Sequence, residues 1–265
     1  MSFISKWVGL LGLLAVLVIG DQIRINRPGH KYRLGVEVTT PDGIKTGSGI
    51  LSVVPDRGYS RGGRTTMRGE AVFVDLGRGK NVVALLAHQQ GAKLDLDDIN
   101  YVALRAYGAA RGNRVSFNEL NRQTGVVAVQ GDLMPTLVSF GDPLDPTTAR
   151  LVAGDHVEAV LGDGYALRGL TAEIVPNGLW PIDFGGALGE PVTRGIETKL
   201  PWLAAPGDPA ATALKTAGLP LGGAIVAGRH LRENSIAVPR TLLLNLFHPR
   251  GMFGESSSAR GLNGR

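Results

Sequence analysis

The residues that could perform acid–base or metal chemistry are dispersed along the chain. No histidine is spaced from another as a local zinc-binding pair would be. Asp95, Asp97 and Asp98 are close together, but the glycine and terminal glutamate of a calcium-binding loop are absent, so they are better explained as the acidic start of a helix. The histidines are His30, His88, His156, His230 and His248.

The turn Gly77-Arg78-Gly79-Lys80 ends in the Gly-Lys pair of a phosphate-binding loop. Val74 stands where that motif requires its first glycine. Asn81 stands where the motif requires a serine or threonine to bind magnesium. The sequence therefore argues against nucleotide binding at this turn.

Two segments resemble exported serine proteases of the chymotrypsin type. Thr46-Gly47-Ser48-Gly49-Ile50 is similar to an early strand of those enzymes, and Phe184-Gly185-Gly186-Ala187-Leu188 is similar to the segment after their nucleophile. Phe184 occupies the position of the nucleophilic serine, and the usual residues around the catalytic histidine are missing at His88. Without the serine no acyl-enzyme can form. The resemblance implies at most a catalytically inactive relative.

Glu173 and Asp183 remain as candidate paired carboxylates for acid–base work. The strand pattern around Glu173 favours a position on the solvent side of the sheet. The sequence thus predicts no catalytic residue, no cofactor and no metal ligand, and it favours a non-enzymatic binding or structural role. The alternative is a hydrolase whose site is assembled from dispersed residues, for which His88, His156, Asp183 and Glu173 would have to converge.

Residues 55–69 contain arginines among glycines and little that could be buried, so we expect an exposed loop. Such a loop can contact phosphate headgroups of anionic lipids or an acidic envelope protein, or it can be merely solvated. The candidate contact residues for an anionic surface are Arg57, Arg61, Arg64 and Arg68.

The composition is that of a folded, glycine-rich body without cysteine chemistry. Hydrophobic residues make up 43% of the chain, and the 38 glycines are about twice the usual share. The absence of cysteine excludes disulfides, thiolate metal sites and a cysteine nucleophile. The net charge of +5 favours anionic partners, but scattered basic residues and only 6% aromatic residues argue against nucleic acid.

Apolar and polar residues alternate over residues 32–40 and 44–54, which predicts a hairpin around Pro41-Asp42-Gly43. The glycines of Gly47-Ser48-Gly49 allow a backbone to approach closely or to bulge. Residues 70–76 and 81–87 predict a second hairpin, and further strands are expected over 126–130, 136–140 and 165–175.

Helical spacing predicts a helix over residues 97–107 that ends at Gly108. The capping box Ser116-x-x-Glu119 predicts a short helix over 117–124, and Gly162 closes another. The tryptophans Trp180 and Trp202 are expected in a segment draped over the sheet, where their rings fill gaps in the core. A brief helix over 210–217 and a brief strand over 224–227 complete the pattern.

The expected fold class is α+β, predominantly antiparallel β with a few short helices, preceded by an amino-terminal hydrophobic helix. We expect a membrane anchor or signal segment over residues 1–27, a single β-rich domain over 28–248 and a flexible tail over 249–265.

An apolar run begins at Trp7 and ends at Gly20, and Lys6 precedes it. The run shows no polar face, which indicates a membrane or signal helix; a buried helix of a soluble protein is the alternative. At about 1.5 Å per residue, about 20 apolar residues are needed to cross a bilayer, so the run is short. Phe3 and Ile4 can lengthen it if Lys6 extends to the headgroups.

Two outcomes are consistent with this run. The helix can remain as a single-pass anchor in the inner membrane with the body in the periplasm, or it can be cleaved before Asp21 and the body exported. The basic residues after the run argue against this orientation, because basic flanks prefer the cytoplasm. These residues are Arg24, Arg27, Lys31 and Arg33.

Four segments of the chain resemble an uncharacterised family of bacterial proteins that have one amino-terminal hydrophobic segment and a β-rich body. The resemblance covers residues 32–203 and implies a bacterial envelope setting, but no activity or site residue. The segments are Thr40-Pro41-Asp42-Gly43, Phe140-Gly141-Asp142-Pro143-Leu144-Asp145-Pro146, and Val192-Thr193-Arg194-Gly195-Ile196-Glu197 with Leu200-Pro201-Trp202-Leu203.

Overall fold

The strands and helices follow the apolar periodicity of the chain in most places. The computed structural model describes residues 3–26, 28–56, 64–90, 93–153, 156–178, 189–204 and 224–226. The helices in these ranges are α1 (Phe3–Asn26), α2 (Val102–Arg111), α3 (Phe117–Leu120) and α4 (Val157–Leu161). The 3-10 helices span Asp98–Tyr101, Gly131–Leu133, Pro146–Thr148, Ile196–Thr198 and Pro201–Ala204.

The strands in the described ranges form antiparallel sheets. They are β1 (His30–Thr40), β2 (Gly43–Val54), β3 (Thr66–Arg68), β4 (Val72–Gly77), β5 (Lys80–Ala84), β6 (His88–Gln90), β7 (Lys93–Asp95), β8 (Val126–Val129), β9 (Leu137–Phe140), β10 (Ala149–Val152) and β11 (Ala166–Val175). The larger sheet has the order β3-β2-β1-β11-β8, the second has the order β10-β9-β5-β4, and β6 pairs with β7. This confirms the α+β, mainly antiparallel fold class.

The first predicted hairpin is confirmed, and β1 is the central strand of the larger sheet. Its inward side chains Tyr32, Leu34, Val36 and Val38 are fully buried, as the alternation requires. They share one core with apolar residues of β2, β4, β5, β11 and α2. Burial of this face fixes the register of β1 against both β2 and β11, because a slip by one residue would expose the whole set.

The glycines of β2 allow the second sheet to approach closely. A Cβ added at Gly47 would lie 2.9 Å from Val74 Cγ2 and 3.0 Å from the Phe73 carbonyl oxygen. A Cβ at Gly49 would lie 3.2 Å from Val72 Cγ2. The predicted close backbone approach at these glycines is therefore confirmed, and the strand that approaches is β4.

The second sheet is buried on both faces because residues 196–203 and 224–225 cover its outer face. Trp202 packs on Phe140 with ring centroids 5.6 Å apart, and its indole N–H donates to the Pro143 carbonyl oxygen at 3.0 Å. The predicted role of Trp202 as a ring that fills a gap over the sheet is confirmed. Val226 forms a bridge to Glu70 where a brief strand was predicted. Trp180 and the helix predicted over 210–217 lie outside the described residues.

Several predicted boundaries are wrong. The helix predicted to end at Gly108 continues to Arg111 and ends at Gly112, whose φ of +68° is the left-handed conformation that glycine adopts readily. The capping box at Ser116 and Glu119 is confirmed, but α3 is shorter than predicted. Strand β3 lies within the segment predicted to be a loop, and β6, β7 and β10 were not predicted.

All described residues belong to the compact unit Met1–His230, and the second unit, Leu231–Arg265, lies outside the described residues. The division of the chain into anchor, body and tail stays a prediction.

Candidate functional site

The residues that a hydrolase would have to bring together occupy separate environments. His88 is buried in β6, where its Nε2 lies 2.9 Å from the Leu133 carbonyl oxygen. Glu173 lies on β11 and pairs with Arg33 of β1. His156 is exposed at the start of α4, and Asp183 lies outside the described residues. The described part of the chain therefore brings no three of these groups into hydrogen-bond distance of one another.

Glu173 forms part of an ion-pair cluster on the outer face of the larger sheet. The guanidinium of Arg33 donates to the carboxylates of both Glu173 and Glu190. The hydrogen bond to Glu190 is the main cause that raises the pKa of Arg33. Lys31 Nζ donates to the Glu190 carbonyl oxygen at 3.1 Å. The cluster fastens the segment after residue 188 to the sheet, so Glu173 has a structural partner.

Lys80, at the turn that lacks the phosphate-loop residues, interacts with the end of α4. Its ammonium group donates to the Leu161 carbonyl oxygen and lies 5.0 Å from the centroid of the Tyr165 ring. A cation at a helix carboxyl terminus is favourable because it offsets the negative end of the helix dipole. The structure thus gives this lysine a structural contact.

No group of three or more histidine, aspartate or glutamate side chains in the described residues could hold a metal ion.

The predicted arginine surface lies only partly within the described residues. Arg57 and Arg61 lie outside them. Arg64 is 70% exposed, and its guanidinium lies 3.8 Å from the Asp97 carboxylate. Arg68 is half-buried in β3, in register with Ser52 of β2. Contact with an anionic surface stays a prediction for all four arginines.

Helix α1 presents apolar side chains to its surroundings. Every residue from 11 to 20 is exposed, and the large apolar side chains from Leu11 to Ile19 are 54% to 66% exposed. Large apolar side chains of a soluble domain are ordinarily buried, and a contiguous exposed set marks an interaction surface. No helix within the described residues combines the length and the apolar character needed to cross a membrane.

A cleft of about 670 Å³ lies between the end of α1 and the body. Gly20, Ile23 and Arg24 line it from the helix. These positions follow the spacing i, i+3 and i+4, so they lie on one helical face. Pro28 and Gly29, which connect α1 to β1, line the adjoining side.

The floor of the cleft is held by backbone and amide hydrogen bonds. The Gly29 N–H donates to the Val53 carbonyl oxygen at 2.7 Å. The Gly29 carbonyl oxygen accepts from the side-chain amides of Asn121 at 2.5 Å and Asn177 at 3.4 Å. A Cβ at Gly29 would lie 2.8 Å from the ring of Pro55, so only glycine fits here without displacing that ring. The floor is therefore preorganised.

The polar groups of the cleft carry both signs of charge. Arg24 donates through Nε and Nη2 to Asp21 at 3.2 and 3.1 Å, and its side chain is 51% exposed. The Asp56 carboxylate belongs to the cleft lining on the side of the body. Phe117 and the exposed residue Asn118, both on α3, also line the cleft.

Sequence reasoning missed the cleft because its lining comes from five separate segments. Asn118 lies within the capping box and Asn121 follows it, and that motif predicts a helix but not what the helix surface lines. The one local signal is the Pro28-Gly29 connection directly after an apolar helix, since a rigid link fixes how the helix leaves the body. Comparison with protein-family models, with curated proteins and with solved structures finds no match for this chain.

Proposed function

We propose that this chain is a membrane-attached envelope protein whose β-rich body has a binding or structural role and not a catalytic one. In this proposal α1 attaches the chain to the inner membrane through its exposed apolar side chains, and the body lies in the periplasm. Release of the body after cleavage near Asp21 is the alternative. The observation that carries the proposal is the exposure of the apolar side chains of residues 11–19.

The magnitude of this exposure favours attachment. Burial of one Leu, Ile or Val side chain is worth about 1.5–3 kcal/mol. The exposed side chains between Leu11 and Ile19 are a little over half exposed, so together they contribute about 10 kcal/mol on transfer to hydrocarbon. A single myristoyl chain binds membranes with a constant of about 10⁴ M⁻¹, which corresponds to about 5.5 kcal/mol. The apolar side chains of residues 11–19 therefore contribute more free energy of membrane binding than one myristoyl chain does.

The non-catalytic role is supported by the structural contacts that the candidate catalytic and phosphate-binding side chains make. His88 contacts a backbone carbonyl in the interior, Glu173 holds Arg33, and Lys80 holds the end of α4. Each of these interactions stabilises the fold and places the group away from the other candidates. Within the described ranges this leaves binding as the function that the geometry supports best.

The arginines Arg57, Arg61, Arg64 and Arg68 are proposed as a second contact, with an anionic lipid or an acidic envelope protein. The exposure of the Arg64 side chain and the net charge of +5 support it. A basic loop near a membrane gains about 1 kcal/mol for each Lys or Arg at an anionic surface.

Cell fractionation tests the attachment. Replacing Leu14 and Leu17 by lysine costs about 3 kcal/mol per site in a membrane helix. We expect this double variant to leave the membrane fraction, whereas the full chain stays in it. The matched control replaces Ile44 and Leu144, which are 50% and 68% exposed on the body, by lysine and should fractionate like the unaltered chain. Equal fractionation of both double variants would contradict the proposal.

A carboxy-terminal reporter that is active only outside the cytoplasm tests the orientation. The proposal expects activity of the reporter fused to the full chain. A reporter active only in the cytoplasm would place the body there and overturn the periplasmic assignment, while membrane fractionation would still report on attachment.

A further inference from the structure

Strand β8 is an edge of the larger sheet. It pairs with residues 170–173 of β11 on one side, and no strand in the described ranges pairs with its other side. Val126 is 60% exposed and Ala128 is exposed, whereas Val129 is buried. Because side chains alternate along a strand, Val126 and Ala128 lie on the outer face of the sheet, and Val127 and Val129 lie on the core side.

The backbone groups of Val126 and Ala128 point away from β11. Tyr107 on α2 shows the direction, because its hydroxyl donates to the Gly125 carbonyl oxygen and accepts from the Ile174 N–H at 3.2 Å. Gly125 is the next partner of Ile174 in the register of the two strands, so Gly125 and every second residue after it direct their backbone groups toward β11. The N–H and C=O groups of Val126 and Ala128 therefore form the open edge.

This edge lacks the features that ordinarily prevent strands from pairing edge to edge. Such edges commonly carry lysine, another charged residue or proline. Residues 123–131 read Gln-Thr-Gly-Val-Val-Ala-Val-Gln-Gly and contain neither a charge nor a proline. The unpaired backbone groups of β8 are therefore available to a further strand, which is the way in which an exposed sheet edge binds an extended segment.

The charges at the two ends of this segment favour a second copy of the chain as the partner. Arg122 precedes the segment, Asp132 follows it, and both residues are exposed. In an antiparallel pair with Val127 on a twofold axis, the basic end of each copy lies beside the acidic end of the other. Asp132 accepts from Arg105 at 2.7 Å but is still 81% exposed, so its carboxylate has acceptor positions left. The uncharged centre matters because a charge near the axis would face its own copy.

We propose that β8 pairs with β8 of a second copy, antiparallel and with Val127 on the twofold axis, so that the larger sheets of two chains join. Val126 of each copy faces Ala128 of the other, and each facing pair exchanges its N–H and C=O groups in two hydrogen bonds. An edge of this length makes a small interface of the weak, transient class. The inference goes beyond the proposed function and does not depend on α1.

Disulfide trapping captures such a weak pair, and the chain has no cysteine of its own. Val127→Cys places two thiols at a non-hydrogen-bonded pair, where facing Cα atoms lie about 4.5 Å apart, a separation that a disulfide can span. We expect mild oxidation of the full chain in non-ionic detergent to give about tenfold more cross-linked dimer than the control Ile44→Cys, because facing thiols have a high effective concentration. Ile44 is also β-branched and is 50% exposed on β2. Equal cross-linking of the two variants would overturn the proposal.

Charge variants identify the occupant. Ala128→Lys and Ala128→Glu place a charge at an exposed position that lies diagonally across the axis from its own copy, at about 7–8 Å, within reach of long side chains. Added to Val127→Cys, each should lower the yield of cross-linked dimer about three- to fivefold. An equimolar mixture should recover the yield as a mixed dimer, identified by its mass, because opposite charges then face each other. A mixture that cross-links no better than either variant alone would overturn the twofold pairing.

Hydrogen exchange tests the unaltered chain without any substitution. The amides of Val126 and Ala128 should exchange more slowly at high than at low protein concentration, because the second copy covers them. The amides of Val127 and Val129, which face β11, should be protected at both concentrations. If a segment of the same chain covered this edge, or if nothing did, the exchange of Val126 and Ala128 would not depend on concentration, and that result would overturn the proposal.

Discussion

Acidification should destabilise the body through the buried histidine His30, at the start of β1. Its ring is fully buried, stacked on Tyr32 with centroids 6.0 Å apart and tilted against Phe117 at 5.6 Å. Neither ring nitrogen has a hydrogen-bond partner within the described structure. Desolvation lowers the pKa of His30 from 6.5 to about 4, because a charged imidazole in this apolar setting has lost its water.

The sign and size of the effect follow from these two pKa values. The unfolded chain binds a proton at His30 below about pH 6.5, whereas the folded protein does so only below about pH 4. The full stabilisation is therefore present above pH 6.5, falls as the pH drops from 6.5 to 4, and is constant below. At 1.36 kcal/mol per pKa unit, the loss is about 3 kcal/mol.

The substitution His30→Phe isolates this contribution. Phenylalanine keeps a ring between Tyr32 and Phe117 and removes both buried nitrogens. Urea unfolding of the full chain in non-ionic detergent, followed by tryptophan fluorescence to which the buried Trp202 contributes, gives the free energy of unfolding at each pH. We expect the advantage of the variant over the unaltered chain to grow by about 3 kcal/mol between pH 7.5 and pH 4.

Two control variants test whether the pH dependence arises from His30. His30→Leu should show the same change with pH if the phenylalanine ring is too large for the site. His156→Phe replaces an exposed histidine and should leave the acid-dependent loss in place. A difference between the His30 variants and the unaltered chain that stays constant across this pH range would refute the reasoning.

Three further substitutions test how the body is held together, each by urea unfolding. Asn81→Leu should lower the free energy of unfolding by about 3 kcal/mol, because the buried amide donates to the Phe140 carbonyl oxygen at 2.8 Å and accepts from the Phe140 N–H at 2.9 Å, and both backbone groups would lose their partner. An unchanged free energy would contradict this role. Gly47→Ala should cost about 1–3 kcal/mol because its Cβ meets β4, whereas Gly169→Ala, with nothing within 4 Å, should be close to neutral; equal effects would be inconsistent with the close approach. Lys80→Met should cost about 1–2 kcal/mol through the lost contacts with the end of α4 and the Tyr165 ring, and a neutral result would assign that lysine to solvent.

The sequence predicts the local pairs of the fold better than the order of its strands. Alternation and a Pro-Asp-Gly turn are local signals, so the hairpin of β1 and β2 could be predicted with its register. The pairing of β1 with β11 joins residues far apart in the chain and depends on which faces are buried together. No local pattern carries that information.

Two glycines explain why the end of α2 was predicted wrongly. Gly108 and Gly112 are both suitable helix stops from sequence alone. The structure uses Gly112 as the stop, with φ of +68°, and Gly108 as a close contact, where an added Cβ would lie 3.0 Å from the Asn113 carbonyl oxygen. The two roles of glycine, freedom of φ and absence of a side chain, are indistinguishable without the tertiary structure.

The two parts of the candidate site also differ in how far the sequence alone predicts them. The apolar run from Trp7 to Gly20 could be identified from composition because it needs no partner to be recognised. The cleft could not, since Arg24, Asp56 and Asn118 are ordinary surface residues until the fold brings them to one cavity. Their residue types indicate a binding site only once the fold shows that they line the same cavity.

Flotation of the purified full chain with phospholipid vesicles in a density gradient tests the central claim, attachment through α1, most directly. We predict that the full chain and the Ile44→Lys, Leu144→Lys control float with the vesicles, because both keep the exposed apolar side chains of residues 11–19. The Leu14→Lys, Leu17→Lys variant should remain at the bottom of the gradient. Flotation of that variant together with the vesicles, or failure of the full chain to float, would contradict the account.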